Sequence, residues 1–368
     1  MRFFCNPSDL SEALGVVSRA LPKNANIPVL EGIKVSAFQN EITLSATDLE
    51  MFIEKKIKAN VLSEGETVVT GKFFVDFIRK LSNIDEIEIS KEEEARITVK
   101  YLNNKSVVQC LNSETYPSIN KVDDDVQFAV KQKDLKSALE KTIFAVSTED
   151  SRPILKGCLL EIKKDFVNCV ALDGYRFAMA NAEITKQKGE KKIIINGKIL
   201  GEISKILLDN ENYIVINIQK NNILFDIEAT KITTRLMEGD YIDYIKILPA
   251  RFDADVVVNK ADFVMCLERI LLITKEQNQN FVKVTVRQNK LIISSSGAVG
   301  DIKEEISATT TGKEMEVAFN SRYLYDAFTR IEEDSAKICI SGTNSPATIE
   351  PVTGVQYKYL VLPVRMMG

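Results

Sequence analysis

Three stretches of the chain share one order of apolar and polar positions. FFCNPSDLSEALGVVSRAL from Phe3, FAVKQKDLKSALEKTIFAV from Phe128 and VVVNKADFVMCLERILLIT from Val256 each start as a short strand. Each then passes through a polar stretch into an amphipathic helix. In the second, Leu135, Ala138, Leu139, Thr142 and Ile143 recur at the 3.6-residue spacing of one helix face. The copies start about 125 residues apart. A strand pair follows in each: ITLSATDLEMFIEKKI, NCVALDGYRFAMANAEI and KLIISSSGAVGDIKEEI. Then a strand leads into a second helix, in ETVVTGKFFVDFIRKLSN, KKIIINGKILGEISKILLD and EMEVAFNSRYLYDAFTRIEE. In the first of these, Phe73, Phe74, Phe77, Ile78 and Leu81 make one apolar stripe. Strands close each copy near TYPSIN, DYIDYIKILP and YKYLVLPVRM. The pattern predicts an α+β chain of three tandem domains, 1–123, 124–250 and 251–368. Each has two helices and roughly eight short strands.

Composition narrows the chemistry. With 368 residues, 45% hydrophobic and 27% charged, the chain can bury a substantial core. No apolar run reaches the length of a membrane span, and MRFFCNPSDL has no signal-type apolar segment, so a cytoplasmic protein without a membrane partner is expected. The six cysteines, Cys5, Cys110, Cys158, Cys169, Cys266 and Cys339, show no metal spacing and read as reduced core thiols. Histidine is absent, which removes the commonest general base and metal ligand. The Gly-rich phosphate loops are missing too. No catalytic residue, metal or cofactor is expected. An enzyme using DGYR, residues 173–176, as a phosphate or sugar site is the rival, and turnover of a nucleotide would reveal it.

Net charge is −4, which on its face disfavours nucleic acid. The predicted helices, 8–23, 72–82, 132–146, 197–208, 260–275 and 320–331, nonetheless sum to +6, leaving −10 for the rest. Helices sharing one surface would give a basic face on an acidic body, and phosphate attraction follows the face. A domain of this length is roughly 35 Å across. Three in a triangle leave a hole a few Å wide. Six in a hexagon leave roughly 30–35 Å, enough for a duplex about 20 Å across. The expected assembly is therefore a head-to-tail homodimer, six domains in a ring with helices inside and sheets outside.

ATDLEM (46–51), SRPILKG (151–157), ALDGYRFAMA (171–180), LMEGDYIDYIKILP (236–249), FNSRYLYDAF (319–328), NSPATIEP (344–351) and YLVLPVR (359–365) occur in order across the three copies. In these segments the chain resembles the bacterial beta sliding clamps, the beta subunits of DNA polymerase III, over essentially its whole length. The resemblance implies a non-catalytic ring around double-stranded DNA. It tethers the polymerase III catalytic subunit, the clamp loader, other polymerases and repair proteins, each through a short motif.

The apolar C-terminal stretch YKYLVLPVRMMG gains a role from this likeness. The resemblance implies a partner-peptide groove between the second and third domains. It is formed by Leu155, Leu172, Gly174, Tyr175, Arg176 and Phe177, with Tyr241, Ile242 and Ile247 from the interdomain segment. Asn320, Tyr323 and Pro346 join them, and the tail supplies Leu360, Val361, Leu362, Pro363, Val364, Arg365 and Met366. Apolar walls with a few orienting polar groups suit such a site, and a methionine can repack around different partners. The chain departs from the family at Tyr175, where histidine is common, at Ile242 (proline), at Lys246 (arginine) and at Met366 (leucine). These bear on partner preference. Helix polar faces and the resemblance together nominate Lys23, Lys72, Arg79, Arg152, Lys198, Lys275 and Arg322 as DNA-facing. The strand at Val107 and Val108 is expected to meet the helix end at Leu272 and Ile273 across the dimer. A scaffold that never meets DNA is the remaining alternative, which the basic helix faces disfavour.

Overall fold

The computed structural model describes the chain except residues 94, 119–125, 275–280, 298–299, 354–356 and 366–368. Six α-helices are present among the described residues: α1 (Pro7–Val17), α2 (Gly71–Arg79), α3 (Gln132–Glu140), α4 (Gly197–Ile206), α5 (Lys260–Thr274) and α6 (Ser321–Phe328). Twenty-five strands accompany them, and the paired strands are antiparallel throughout. Nine belong to the first copy, eight to the second, from Val126–Lys131 to Thr230–Arg235, and eight to the third. The threefold plan of two helices and about eight strands is thus the architecture. No helix among the described residues is long and apolar enough to cross a membrane.

The helices start where the chain supplies a cap. Asn6 Oδ1 accepts from the backbone N of Ser8 and Asp9, and Pro7 takes the first helical position. Asn196, Asn259 and Asn320 do the same for α4, α5 and α6. Leu10, Ala13, Leu14 and Val17 form the buried face of α1. Gly71 and Gly197 open α2 and α4 where a Cβ would stand 2.6 Å from Leu21 and 2.9 Å from Val146. Only a bare backbone fits that approach.

The helices are shorter than the periodicity predicts. Short 3-10 turns, Ser18–Ala20 and Ile143–Ala145, take over after α1 and α3. This changes the charge picture. Counted over the observed bounds the six helices carry a net charge of zero. The predicted +6 comes wholly from residues beyond the observed helices: Arg19, Lys23, Lys80, Lys141, Lys275 and Arg330. Arg19, Lys80, Lys141 and Arg330 follow a helix C-terminus by one or two positions, where a cation offsets the partial negative charge of the helix end, so their placement has a local electrostatic reason of its own.

The chain divides into two compact units. One holds Met1–Gln132, Ile184–Gly189 and Lys205–Leu236; the other holds Lys133–Glu183, Glu190–Ser204 and Met237–Gly368. Within the first, the strand Met51–Lys58 of the first copy pairs with Thr230–Arg235, the last strand of the second, with Ile53 opposite Ile232. One sheet therefore runs through both copies. The second unit repeats the device. Arg176–Lys188 of the second copy pairs with Tyr357–Val361, the last strand of the third, with Phe177 opposite Leu360. Nine strands then form one sheet, from Lys191–Asn196 at one edge to Gly300–Gly312 at the other. The C-terminal apolar run is thus a strand between two neighbours, Arg176–Lys188 and Ala347–Pro351.

Candidate functional site: an apolar surface around the C-terminal strand

The floor of the site is a buried cluster in the second unit. Leu155, Leu159, Val170, Leu172, Phe177, Ile194, Tyr244 and Leu360 pack together, with Ile154, Met179, Met237, Tyr241 and Leu248 against them. Strand alternation explains the selection. Residues on one face of Gly157–Ile162, Phe166–Leu172 and Arg176–Lys188 turn inward together, and Leu360 joins through its pairing with Phe177. Phe177 stacks on Tyr244 at 5.5 Å between ring centroids. The Tyr241 hydroxyl donates to Gly157 O (3.2 Å) or Val170 O (3.4 Å), and burial pushes its pKa up, so it stays a neutral donor. Tyr244 donates to Glu161, which also accepts from Lys192 at 2.6 Å. Burial alone would raise the Glu161 carboxyl, yet Lys192, Tyr244 and Asn168 outweigh it and hold the pKa below the usual range.

The rim is built by one tight turn. Asp173 Oδ1 accepts from Tyr175 N (2.8 Å) and Arg176 N (3.0 Å), while Gly174 adopts φ +97°. The turn lifts Tyr175 clear of the protein, 59% exposed. Tyr175 O accepts from Leu362 N at 2.9 Å, so the tail leaves its strand bonded to the turn. Val364 N donates to Ala318 O, which carries the tail toward α6.

Arg176 secures this corner. Its Nε donates to Asp173 Oδ2 (2.9 Å), Nη1 to Asp326 Oδ2 (2.8 Å) and Nη2 to Phe144 O (2.8 Å). The guanidinium lies 4.4 Å from the centroid of the Tyr323 ring. Burial opposes its charge, but Tyr359 and the two carboxylates prevail and raise its pKa. Asp326 also accepts from Arg322 Nε at 3.0 Å.

The groove residues therefore fall into three groups. Leu155, Leu172, Phe177, Leu360 and Val361 are core, and Tyr241 is partly buried against it. Gly174, Tyr175, Ile242, Ile247, Leu362, Val364 and Arg365 are exposed. Arg176, Tyr323, Pro363, Pro346 and Asn320 are half-buried. Pro346 precedes Ala347, the partner of Val361, and Asn320 spends its side chain capping α6. Met366 lies outside the described residues. Asp173, Phe144, Asp326, Met237, Tyr244 and Ile245 escaped the sequence argument. For Asp173 a signal existed. The turn Asp48–Met51 in the first copy has the same Asp-to-backbone bonds, Asp48 Oδ1 accepting from Glu50 N and Met51 N.

Of the residues nominated to face DNA, Lys23, Lys72, Arg79, Arg152, Lys198 and Arg322 are exposed. Lys275 lies outside the described residues. Lys72, Lys198 and Arg322 occupy the second position of α2, α4 and α6 respectively. At the expected dimer contact Val107 is 53% and Leu272 72% exposed, and Ile273 is half-buried. Val108 is turned into the core at 3% exposure, opposite Ile97, and can offer a partner only its backbone. Among the described residues no histidine, cysteine or carboxylate cluster could hold a metal ion.

Known proteins match along the whole chain. Models of the DNA polymerase III beta subunit match as its N-terminal domain over residues 1–120, its central domain over 129–243 and its C-terminal domain over 245–365. The beta sliding clamps of Staphylococcus epidermidis and Staphylococcus aureus are each 31% identical over 359 residues, covering 94% of both chains. Among solved structures, the DNA polymerase sliding clamp from Bacillus subtilis superposes with a TM-score of 0.96 at 26% identity, over 100% of both chains. A putative DNA polymerase III beta subunit from Eubacterium rectale gives 0.94 at 27%, over 100% of both. With three family domains in order and relatives this similar end to end, the chain belongs to the beta sliding clamp family, the beta subunits of bacterial DNA polymerase III.

Proposed function

We propose that this protein is the processivity clamp of bacterial DNA replication. It is a non-catalytic, cytoplasmic homodimer that closes around duplex DNA and holds polymerase III, the clamp loader and repair proteins by short peptides. Residues 1–123, 124–250 and 251–368 serve as its three domains. The observation that carries the ring is the repeated strand junction. The last strand of the second copy docks on Met51–Lys58 of the first, and the last strand of the third docks on Arg176–Lys188 of the second. By the same rule the last strand of the first copy, Asn104–Leu111, needs a counterpart of Gly300–Gly312. Among the described residues, 104–109 pair on one side only, with Arg96–Tyr101, and 300–307 pair on one side only, with Lys290–Gly297. A second chain supplies each missing neighbour, and two such contacts close six domains head to tail. Val107, Leu272 and Ile273 would then contribute apolar area to the contact.

The DNA-facing role gains support from a local conflict. A cation in the first turn of a helix opposes the positive partial charge there, by roughly 0.3–1 kcal/mol. The chain nonetheless puts Lys72, Lys198 and Arg322 at the same early position of the second helix in all three copies. Ring symmetry would distribute six such charges along the encircled phosphates. For partners, the exposed Tyr175, Ile242, Ile247, Leu362 and Val364 around a rigid core offer apolar anchorage beside polar Arg176 and Asn320.

The test is topological. Clamp loaded on a nicked circular plasmid should persist at 0.5 M or so of salt, where direct phosphate contacts are largely lost, and should dissociate when the plasmid is linearised. Equal retention on circular and linear DNA would mean contact binding and defeat the ring.

A further inference from the structure

Asp326 serves two cations at once. Its Oδ2 accepts from Arg176 Nη1 at 2.8 Å, and its Oδ1 pairs with Arg322 Nε at 3.0 Å. The two partners differ in access. The side chains of Arg176 and Asp326 are 12% and 18% exposed, whereas that of Arg322 is 57% exposed. Arg176 is held besides by Asp173 and Phe144 O. Among the described residues Arg322 has this one carboxylate and the face of Tyr325, at 5.4 Å from the ring centroid. Arg176 is thus the fixed partner and Arg322 the exchangeable one.

The repeat shows that the sharing is particular to this corner. Each second helix carries a cation at its second position and an acid four residues on: Lys72 and Asp76, Lys198 and Glu202, Arg322 and Asp326. That spacing alone puts cation and acid on one helix face. The turn that delivers Arg176 corresponds to Asp48–Met51 of the first copy, with the same Asp-to-backbone bonds. The first copy ends that turn in Met51, buried at 3% exposure, where the second has Arg176. The second cation is an addition at the turn that lifts Tyr175. From Arg322 the polar contacts run through Asp326, Arg176 and Asp173 to the backbone N of Tyr175, linking one exposed residue to another.

Charge sets the direction of the effect. Two guanidiniums on one carboxylate repel each other and divide its attraction. When Arg322 leaves, Asp326 acts on Arg176 alone, and the Tyr175 turn is held more firmly. We propose that Asp326 is a positioning residue of the partner groove, and that a phosphate of the encircled duplex, by drawing Arg322 away, tightens the groove's grip on partners. A clamp on DNA then holds its partners better than a clamp free in solution. The inference rests on the reading of the groove as the partner site and of Arg322 as DNA-facing. It adds a coupling between those two sites, which by linkage is reciprocal.

The experiment titrates a labelled polymerase-derived peptide into the full-length protein in low salt, with and without a saturating 12-base-pair duplex. In the wild type the duplex should tighten peptide binding two- to fivefold, and the peptide should tighten duplex binding by the same factor. Arg322→Gln should tighten peptide binding two- to fivefold with no DNA present and remove the effect of the duplex. Arg322→Lys, which keeps the charge beside Asp326, should behave as the wild type. Asp326→Asn should weaken peptide binding at least threefold, and in that background neither Arg322→Gln nor the duplex should change it. An Arg322→Gln change of less than twofold, a loosening, or an equal tightening in the Asp326→Asn background overturns the proposal. So does a duplex that binds the wild type without moving its peptide affinity; the clamp reading survives each of these results. A wild type that binds no peptide defeats the groove itself and this coupling with it.

Discussion

Replacing Arg176 by alanine removes the fastening of the Tyr175 turn, and its cost can be estimated. Three charge-assisted hydrogen bonds of 2.8–2.9 Å are lost, to Asp173, Asp326 and Phe144 O. The side chains of Arg176, Asp173 and Asp326 are 12%, 12% and 18% exposed, so solvent replaces these bonds poorly. Breaking a buried pair by deleting one partner costs about 3–5 kcal/mol. The lower part of that range is expected, since each carboxylate keeps a donor: Asp173 has Tyr175 N, and Asp326 has Arg322. The packing on Tyr323 at 4.4 Å adds about 0.5–1 kcal/mol. Arg176→Ala should therefore destabilise by about 3–4 kcal/mol. Arg176→Lys, which retains charge but loses the fork, should cost about 2 kcal/mol. The chain has no tryptophan, so urea unfolding is followed by far-UV circular dichroism. Titration of a polymerase-derived peptide runs in parallel, with an expected loss of at least 10-fold once Tyr175 is no longer held. A double-mutant cycle with Asp326→Asn isolates the pair, and its coupling should exceed about 1 kcal/mol. If Arg176→Ala costs less than 1 kcal/mol, or if its effect and that of Asp326→Asn simply add, the guanidinium does not fasten the corner and this reasoning fails.

Removing Lys72, Lys198 and Arg322 together takes six cations from the dimer, so it should weaken binding to short linear duplex and lower the salt-dependence slope by up to about 5, while helix stability rises slightly; an unchanged slope in a salt titration would place these cations away from DNA. Val107→Asp should shift the dimer toward monomer in sedimentation while each chain stays folded, because the side chain is 53% exposed and outside the core; an unshifted dimer would exclude Val107 from the contact. The Glu161 carboxyl has its pKa lowered in the folded state, so its contribution is present above the ordinary value of about 4.5 and is lost as pH falls through the folded value. Glu161→Gln should accordingly flatten the fall in stability below pH 4.5, measured by urea unfolding at several pH values. Leu49 holds φ +76° in the turn where the second copy has Gly174, so Leu49→Gly should relieve about 1 kcal/mol of backbone strain, less any packing lost, and raise the thermal midpoint slightly.

The repeat was legible in the chain because amphipathic periodicity is local: a helix or strand face is set by residues a few positions apart, and Leu135, Ala138 and Leu139 are all fully buried as their spacing requires. Leu155, Leu172, Phe177 and Leu360 could likewise be nominated from their motifs. The helix ends were less legible. Periodicity continues through the 3-10 turns after α1 and α3, and the apparent helix charge of +6 therefore belonged to the segments beyond the helices. Other features depend on contacts between residues far apart in the chain. Arg176 and Asp326 are 150 positions apart, and neither sequence neighbourhood reveals the other. Val107 and Val108 look alike in the sequence, yet strand alternation exposes one and buries the other. Gln132 reads as a polar residue at a helix start, and only its burial against Leu208 shows a donor without a partner. The terminal apolar run could have been a loose end or a core strand. Pairing of Tyr357–Val361 on both edges decided for the strand, because a backbone buried between two neighbours must satisfy its hydrogen bonds there, and the residues that accept them lie far earlier in the chain.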